Sequence, residues 1–109
     1  MTSLSTHVLD TMHGCPAKGV RVRLFAGSEV LYEGVTDADG RCRDLPVLGA
    51  GVYSFEFAVA AYFRTMGVKL DEPPFLDIVP IAFGVADVSA HYHVPLLVSP
   101  FGYSTYRGS

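Results

Sequence analysis

Hydrophobicity in this chain alternates with a period of two, in short runs closed by glycine, proline, aspartate or serine. The clearest run is Val20-Arg21-Val22-Arg23-Leu24-Phe25. It sends Val20, Val22 and Leu24 to one face and both arginines to the other, the pattern of a half-buried strand. Gly27-Ser28 turns the chain, so residues 29–36 pair back as a hairpin. Asp37-Ala38-Asp39-Gly40 is a tight turn, with Gly40 able to take positive φ. A short strand is expected from Arg41 to the residue before Pro46. Residues 52–58 place Tyr53, Phe55 and Phe57 on one face. Residues 58–66 are the only helical stretch, about two turns, closed by Gly67 at C′. Residues 75–85 form a strand whose Pro80 cannot donate to a ladder, which assigns it to a sheet edge. Residues 3–10, 91–99 and 102–107 complete the set. Eight short strands and one small helix predict an all-β fold, a two-sheet β-sandwich, as a single domain over residues 1–109.

Length and composition are consistent with that class. A chain of 109 residues buries a core without needing a disulfide or a metal. Half of it is hydrophobic, well above the profile of a disordered segment. The net charge is -3 and no basic run stands out, which argues against nucleic acid as a partner. Met1-Thr2-Ser3-Leu4 lacks the basic head of a signal peptide. No apolar run approaches the roughly 18 residues of a membrane span, so the cytoplasm is the expected compartment and no membrane partner is expected. Cys15 and Cys42 lack metal or redox spacing and are expected to be idle thiols. Asn, Gln and Trp are absent, so side-chain hydrogen bonding at a site falls to His, Ser, Thr, Tyr or charged groups. The last strand, around Tyr103-Ser104-Thr105-Tyr106, is short, uncharged and unprotected. Such an edge is commonly covered by sheet extension across a subunit interface, which predicts an oligomer.

The chemistry-bearing residues gather near the two ends. His91 and His93 stand at i and i+2, so in a strand they leave one face with Cα atoms roughly 6.6 Å apart. They can be an acid/base pair titrating near neutrality, two idle half-exposed imidazoles, or with His7 a three-histidine zinc site. Ser5, His7 and Leu9 share a face of the first strand, and His7 gains weight if that strand lies beside residues 91–99. Arg41 is either a solvated turn arginine or a planar five-donor fork for an anionic or imide-like ligand. Asp37–Gly40 lacks the spacing of a calcium loop, whose glycine is sixth and glutamate twelfth. There is no phosphate-binding glycine loop, no Gly-x-Ser-x-Gly elbow and no His spaced to activate Cys15. The polar C-terminus is notable beside a strand of histidines, because termini fray unless tied down.

End to end, these blocks resemble the transthyretin-like proteins, specifically the 5-hydroxyisourate hydrolases of purine breakdown. The resemblance rests on Ser5-Thr6-His7-Val8-Leu9-Asp10, Gly14-Cys15-Pro16-Ala17 and Thr36-Asp37-Ala38-Asp39-Gly40-Arg41. It rests most on His91-Tyr92-His93-Val94-Pro95-Leu96-Leu97 and the final Tyr106-Arg107-Gly108-Ser109, the tetrapeptide that separates the enzymes from the hormone-carrying transthyretins. It implies two four-stranded sheets and a homotetramer built as a dimer of dimers, with a central channel and sites at the dimer–dimer interface. It implies a metal-free, cofactor-independent ring-opening hydrolysis of the small molecule 5-hydroxyisourate. His7, Arg41 and His93 would be catalytic, and His91, Tyr106 and Ser109 would bind substrate. Arg43 shares the face of Arg41, leaving two guanidiniums for that role. The other class compatible with the resemblance is a carrier of small aromatic ligands in the channel, and a scaffold domain with idle histidines is a third.

Overall fold

The computed structural model describes residues 1–108; Ser109, one of the expected site residues, lies outside the described residues. Its elements run β1 (Leu4–Ser5), β2 (Val8–Asp10), β3 (Cys15–Pro16), β4 (Arg21–Ala26), β5 (Glu29–Val35), β6 (Gly51–Ala58), α1 (Val59–Thr65), β7 (Ile78–Val85), β8 (Tyr92–His93), β9 (Leu96–Ser99) and β10 (Gly102–Ser104). Two four-stranded sheets form, ordered β10-β9-β2-β3 and β5-β4-β6-β7. One core joins them. Val8, Leu96 and Val98 from the first sheet are buried with Val22, Leu24, Phe55, Phe57 and Val79 from the second. That is the expected β-sandwich.

Alternation explains the second sheet. Val20, Val22 and Leu24 are fully buried while Arg21 and Arg23 are exposed. Phe55 and Phe57 pack ring to ring at 5.5 Å, and Phe55 stacks on Phe83 at the same separation. Pro80 lies on β7, the edge strand, opposite Glu56 of β6. The helix ends as its sequence predicts: Gly67 N–H donates to the Arg64 carbonyl and Val68 N–H to the Phe63 carbonyl, the paired bonds of a Schellman stop. No helix among the described residues is long and apolar enough to cross a membrane.

The first sheet departs from expectation in instructive ways. The strand expected over residues 3–10 is two pieces, β1 and β2, and residues 91–99 are likewise β8 and β9. Both breaks fall at one level, where the Val94 carbonyl accepts the Thr6 hydroxyl at 2.6 Å. β1 pairs β8 in parallel and β2 pairs β9 in parallel, with the same register on both sides of the break. The strand expected after Arg41 does not form; only a single bridge joins Arg41 to His7. The Asp37 carboxylate accepts from the backbone N–H groups of Asp39 and Arg41, and Asp44 takes φ 62, so the segment is committed to turns. β3 was not expected, and it extends the sheet by pairing with β2. The last strand stops at Ser104 rather than Arg107. Thr105 then donates its hydroxyl to the Pro95 carbonyl at 2.6 Å, and the tail returns to bridge His93 through Gly108.

Asp10 ties the first sheet to α1 through a buried carboxylate, 1% exposed. It accepts from Tyr62 Oη of α1 at 2.7 Å and from the His13 backbone N–H at 2.9 Å, and it pairs with His13 Nδ1. Burial alone would raise its pKa, but the hydrogen bonds from Tyr62 and His13 outweigh it and hold the carboxyl below its ordinary 3.8. The stabilisation is therefore complete above that ordinary value and is lost as pH falls through the lower, folded-state value. Asp10→Asn is expected to cost about 1–3 kcal/mol at pH 7. In urea melts the gap to wild type should narrow below the ordinary carboxylate value; a gap unchanged by acid would contradict this assignment.

Candidate active site

The parallel pairing of β1 with β8 assembles the site. Ser5 and His93 are register partners, so their side chains leave the same face of the sheet. His91 lies on that face two residues before His93, and His7 two residues after Ser5. The ladder through this region is held by Tyr92 N–H to the Ser3 carbonyl at 3.1 Å, Val94 N–H to the Ser5 carbonyl at 2.9 Å and Leu96 N–H to the His7 carbonyl at 2.9 Å. The condition that gives His7 weight, a first strand lying beside residues 91–99, is met.

Hydroxyls then orient the imidazoles. Ser5 Oγ lies 2.7 Å from His93 Nδ1 and 2.8 Å from His91 Nε2. Ser3 Oγ lies 2.6 Å from His91 Nδ1. Among the described residues nothing hydrogen-bonds His93 Nε2, so that nitrogen is the one available to a ligand. His93 is half-buried, His7 is half-buried, and His91 is exposed.

Arg41 enters from the turn. The turn is docked on the first strand by Val8 N–H donating to the Gly40 carbonyl at 2.8 Å, and it closes with Asp37 N–H donating to the Arg41 carbonyl at 2.9 Å. Gly40 takes φ 77, as its turn requires. The two arginines differ in their surroundings. Arg43 Nε reaches the Asp37 carboxylate at 3.5 Å, whereas the charge of Arg41 acts on His93. Burial is the largest cause depressing the His93 pKa below 6.5, and the nearby charges of Arg41, His7 and His91 add to it. A neutral imidazole beside a fixed positive charge can take a proton from water and hold an anion in front of it.

The C-terminal tail covers this imidazole. Gly108 N–H donates to the His93 carbonyl at 2.8 Å. A Cβ on Gly108 would run into the His93 ring, so only glycine permits this approach. The tail is clamped one residue earlier, where the Arg107 guanidinium lies 4.2 Å from the centroid of the Tyr92 ring. Tyr106 is not brought to the imidazoles. It is exposed and lines a groove of about 310 Å³ with Ile81, Phe83, Tyr92, Val94 and Arg107. Tyr92 and Val94 alternate with His91 and His93, so that groove opens on the opposite face of β8.

The sequence offered a signal for Ser3 and Ser5 that spacing motifs do not capture. Ser3, Ser5 and His7 alternate on one face, as His91 and His93 do, and the two faces coincide once the strands pair. Among the described residues no group of three or more His, Cys, Asp or Glu is arranged to hold a metal ion. Cys15 and Cys42 are unpaired and half-buried.

Comparison with known proteins places these features in context. The family described as HIUase/Transthyretin family matches residues 4–108. The chain is 50% identical to a 5-hydroxyisourate hydrolase of Ralstonia nicotianae, with 100% of each chain covered. The fold superposes on the structure of Klebsiella pneumoniae 5-hydroxyisourate hydrolase with a TM-score of 0.85, at 38% identity over 100% of this chain and 94% of that one. It superposes on sea bream transthyretin in complex with thyroxine with a TM-score of 0.84, at 32% identity over 96% and 93% of the two chains.

An NMR titration checks the electrostatics of the site. The His93 imidazole is expected to titrate below 6.5 in the wild type. Arg41→Ala should move its midpoint upward by removing a neighbouring positive charge, while Arg43→Ala should leave it in place. The reverse pattern would hand the role of Arg41 to Arg43.

Proposed function

The chain belongs to the HIUase/Transthyretin family, and on that premise we propose that it is a cyclic amidohydrolase acting on 5-hydroxyisourate, the unstable product of urate oxidation. The observation that carries the proposal is His93. Its Nδ1 is held by Ser5, its Nε2 is left available, and Arg41 and His7 stand beside it. In the proposed reaction His93 Nε2 takes a proton from water, and the resulting hydroxide attacks the lactam carbonyl. General-base assistance of this kind contributes about 10²–10⁴-fold. Arg41 holds the polar purine-derived ring and offsets the charge that develops on the carbonyl oxygen. His7 and His91 orient the base and the water. The lactam bond opens to 2-oxo-4-hydroxy-4-carboxy-5-ureidoimidazoline, with no covalent enzyme intermediate and no metal or cofactor in the scheme.

The proposal extends to assembly. One domain over residues 1–109 forms a homotetramer, a dimer of dimers. The exposed edge strand β10 and the Pro80-bearing edge β7 supply the surfaces for edge-to-edge contact. Tyr106 and Ser109 are kept as substrate-binding residues. Because Tyr106 lies on the opposite face of β8 within a protomer, its contact with substrate is assigned to the assembled protomers. Cytoplasmic placement belongs to the same proposal. The likeness to a thyroxine-bound transthyretin supports the second reading, a carrier of small aromatic ligands. The higher identity to a hydrolase than to that transthyretin, 50% against 32%, and the Tyr106–Ser109 terminus favour the enzyme.

Catalytic amounts of the protein are expected to accelerate the loss of ultraviolet absorbance of freshly generated 5-hydroxyisourate, before and after exhaustive chelation. A progress curve matching spontaneous decay would remove the hydrolase reading. Activity lost on chelation and restored by zinc would substitute a metal-hydroxide mechanism.

Light scattering is expected to give about four times the 11.8 kDa chain mass. A monomer at micromolar concentration would contradict both the edge argument and the shared role of Tyr106.

A further inference from the structure

We infer that Ser5, His91 and Ser3 form a proton relay that carries the proton taken up at His93 out to solvent. The inference rests on the hydrolase reading above and deepens it, because it assigns work to two serines that the catalytic set leaves out.

The geometry is a continuous chain of three short hydrogen bonds. It runs from His93 Nδ1 to Ser5 Oγ at 2.7 Å, from Ser5 Oγ to His91 Nε2 at 2.8 Å, and from His91 Nδ1 to Ser3 Oγ at 2.6 Å. One serine oxygen serves both imidazoles. A hydroxyl can do this because it carries one donor and two acceptor positions and rotates freely between them. A single assignment of protons satisfies every link: His93 Nδ1–H donates to Ser5, the Ser5 hydroxyl donates to His91 Nε2, and His91 Nδ1–H donates to Ser3. The inner end is the half-buried His93, and the outer end is the exposed pair His91 and Ser3. The β1–β8 ladder fixes the spacing, with Ser5 and His93 as register partners.

The chemistry creates a need for such a path. Of the two protons of the attacking water, one ends on the leaving ring nitrogen. The other must be released, because the new carboxyl group is fully ionised at neutral pH. His93 is poorly placed to keep it. Burial and the Arg41 charge from the turn disfavour an imidazolium there, and His7, between β1 and β2, and His91, just before β8, face it as well. In the relay the water O–H bond breaks as the His93 Nε2–H bond forms, and the His93 Nδ1–H passes to Ser5. The original Ser5 proton passes to His91 Nε2, the His91 Nδ1 proton passes to Ser3, and the original Ser3 proton leaves to bulk water. All four residues end neutral, with each bond reversed in direction, and return by rotation of the hydroxyls and exchange with solvent.

The test is steady-state hydrolysis of 5-hydroxyisourate by wild type, Ser5→Ala, Ser5→Thr and Ser3→Ala, with melting temperatures recorded in parallel. Ser5→Ala is expected to lower kcat by roughly 10- to 100-fold with KM little changed, and Ser5→Thr to restore most of it by returning the hydroxyl. Small diffusible bases such as imidazole buffer should recover part of the lost kcat of Ser5→Ala, a response that a purely structural defect does not give. Ser3→Ala, at the solvent end, should show a smaller loss with the same recovery; this variant also carries the test if Ser5→Ala fails to fold. Wild-type turnover in Ser5→Ala, or a loss that neither threonine nor buffer repairs, would overturn the relay and leave the hydrolase reading standing. A wild type that does not speed the decay at all would overturn both.

Discussion

The parallel pairing of the first strand with the penultimate one governs this structure. Residues 4–10 lie beside residues 92–98 in a single register, Leu4 against Tyr92 at one end and Asp10 against Val98 at the other. Parallel neighbours cannot be joined by a tight turn, so nearly the whole chain is the crossover between them. Closing so long a loop carries an entropy cost that grows slowly with its length. The return is burial: Val8, Leu96 and Val98 are at most 1% exposed and meet the aromatic face of the other sheet. The proposed active site follows from the same ladder. Ser5 and His93 touch because they are register partners, and a slip of one residue would send either side chain to the opposite face.

Around that ladder, two backbone features shape the surroundings of His93. The 37–40 turn docks on the first strand through the Gly40 carbonyl and delivers Arg41 beside His7. The tail folds back to lay Gly108 on the His93 ring, held by the stacked Arg107 and Tyr92. Tyr92 is itself braced, since its hydroxyl oxygen accepts the backbone N–H groups of Ala86 and Asp87 at 3.1 Å each. A histidine one residue from the end of the pairing is thus enclosed by a turn from mid-chain and by the segment that carries Gly108. These segments are remote in sequence, and only the folded state brings them together.

Much of this was legible in the sequence, for physical reasons that also mark where legibility ends. Alternation reports which face a residue takes, so Val20, Val22, Leu24, Phe55 and Phe57 were readable as core, and Pro80 as an edge marker. Helix closure at Gly67 was readable because its stop is local. The expected strand after Arg41 failed because local side-chain bonds from Asp37 capture the backbone there, which alternation does not reveal. The end of β10 was misread because Thr105 turns its hydroxyl to Pro95, a partner ten residues back. His7, Arg41, His91 and His93 were identified as residues, yet their convergence depends on strand pairing that no local pattern encodes. Ser5 shows the limit most clearly. A serine in a strand is unremarkable by type and spacing, and it gains a role only when its register partner is a histidine.

The same scaffold serves a 5-hydroxyisourate hydrolase and a thyroxine-bound transthyretin among the proteins this chain resembles in structure. What can distinguish them physically is the outer face of the first sheet. In this chain that face is polar at the β1–β8 end, where Ser5, His91 and His93 stand, and apolar beyond the break, where Leu9 pairs with Leu97. Apolar lining alone can hold an aromatic ring, since area removed from water supplies the affinity and little geometry is demanded. Ring opening demands more: a base kept neutral, an acceptor for developing charge, and a route for the released proton. Burial and the Arg41 charge bias His93 toward its neutral form, and the hydroxyl of Ser5 fixes which of its nitrogens faces outward. Each of these comes from a polar residue at the break in the ladder, where a carrier would need none of them. The chemistry of the face is therefore decided over a few residues at one level of the sheet, while the core beneath it is free to remain that of the common fold.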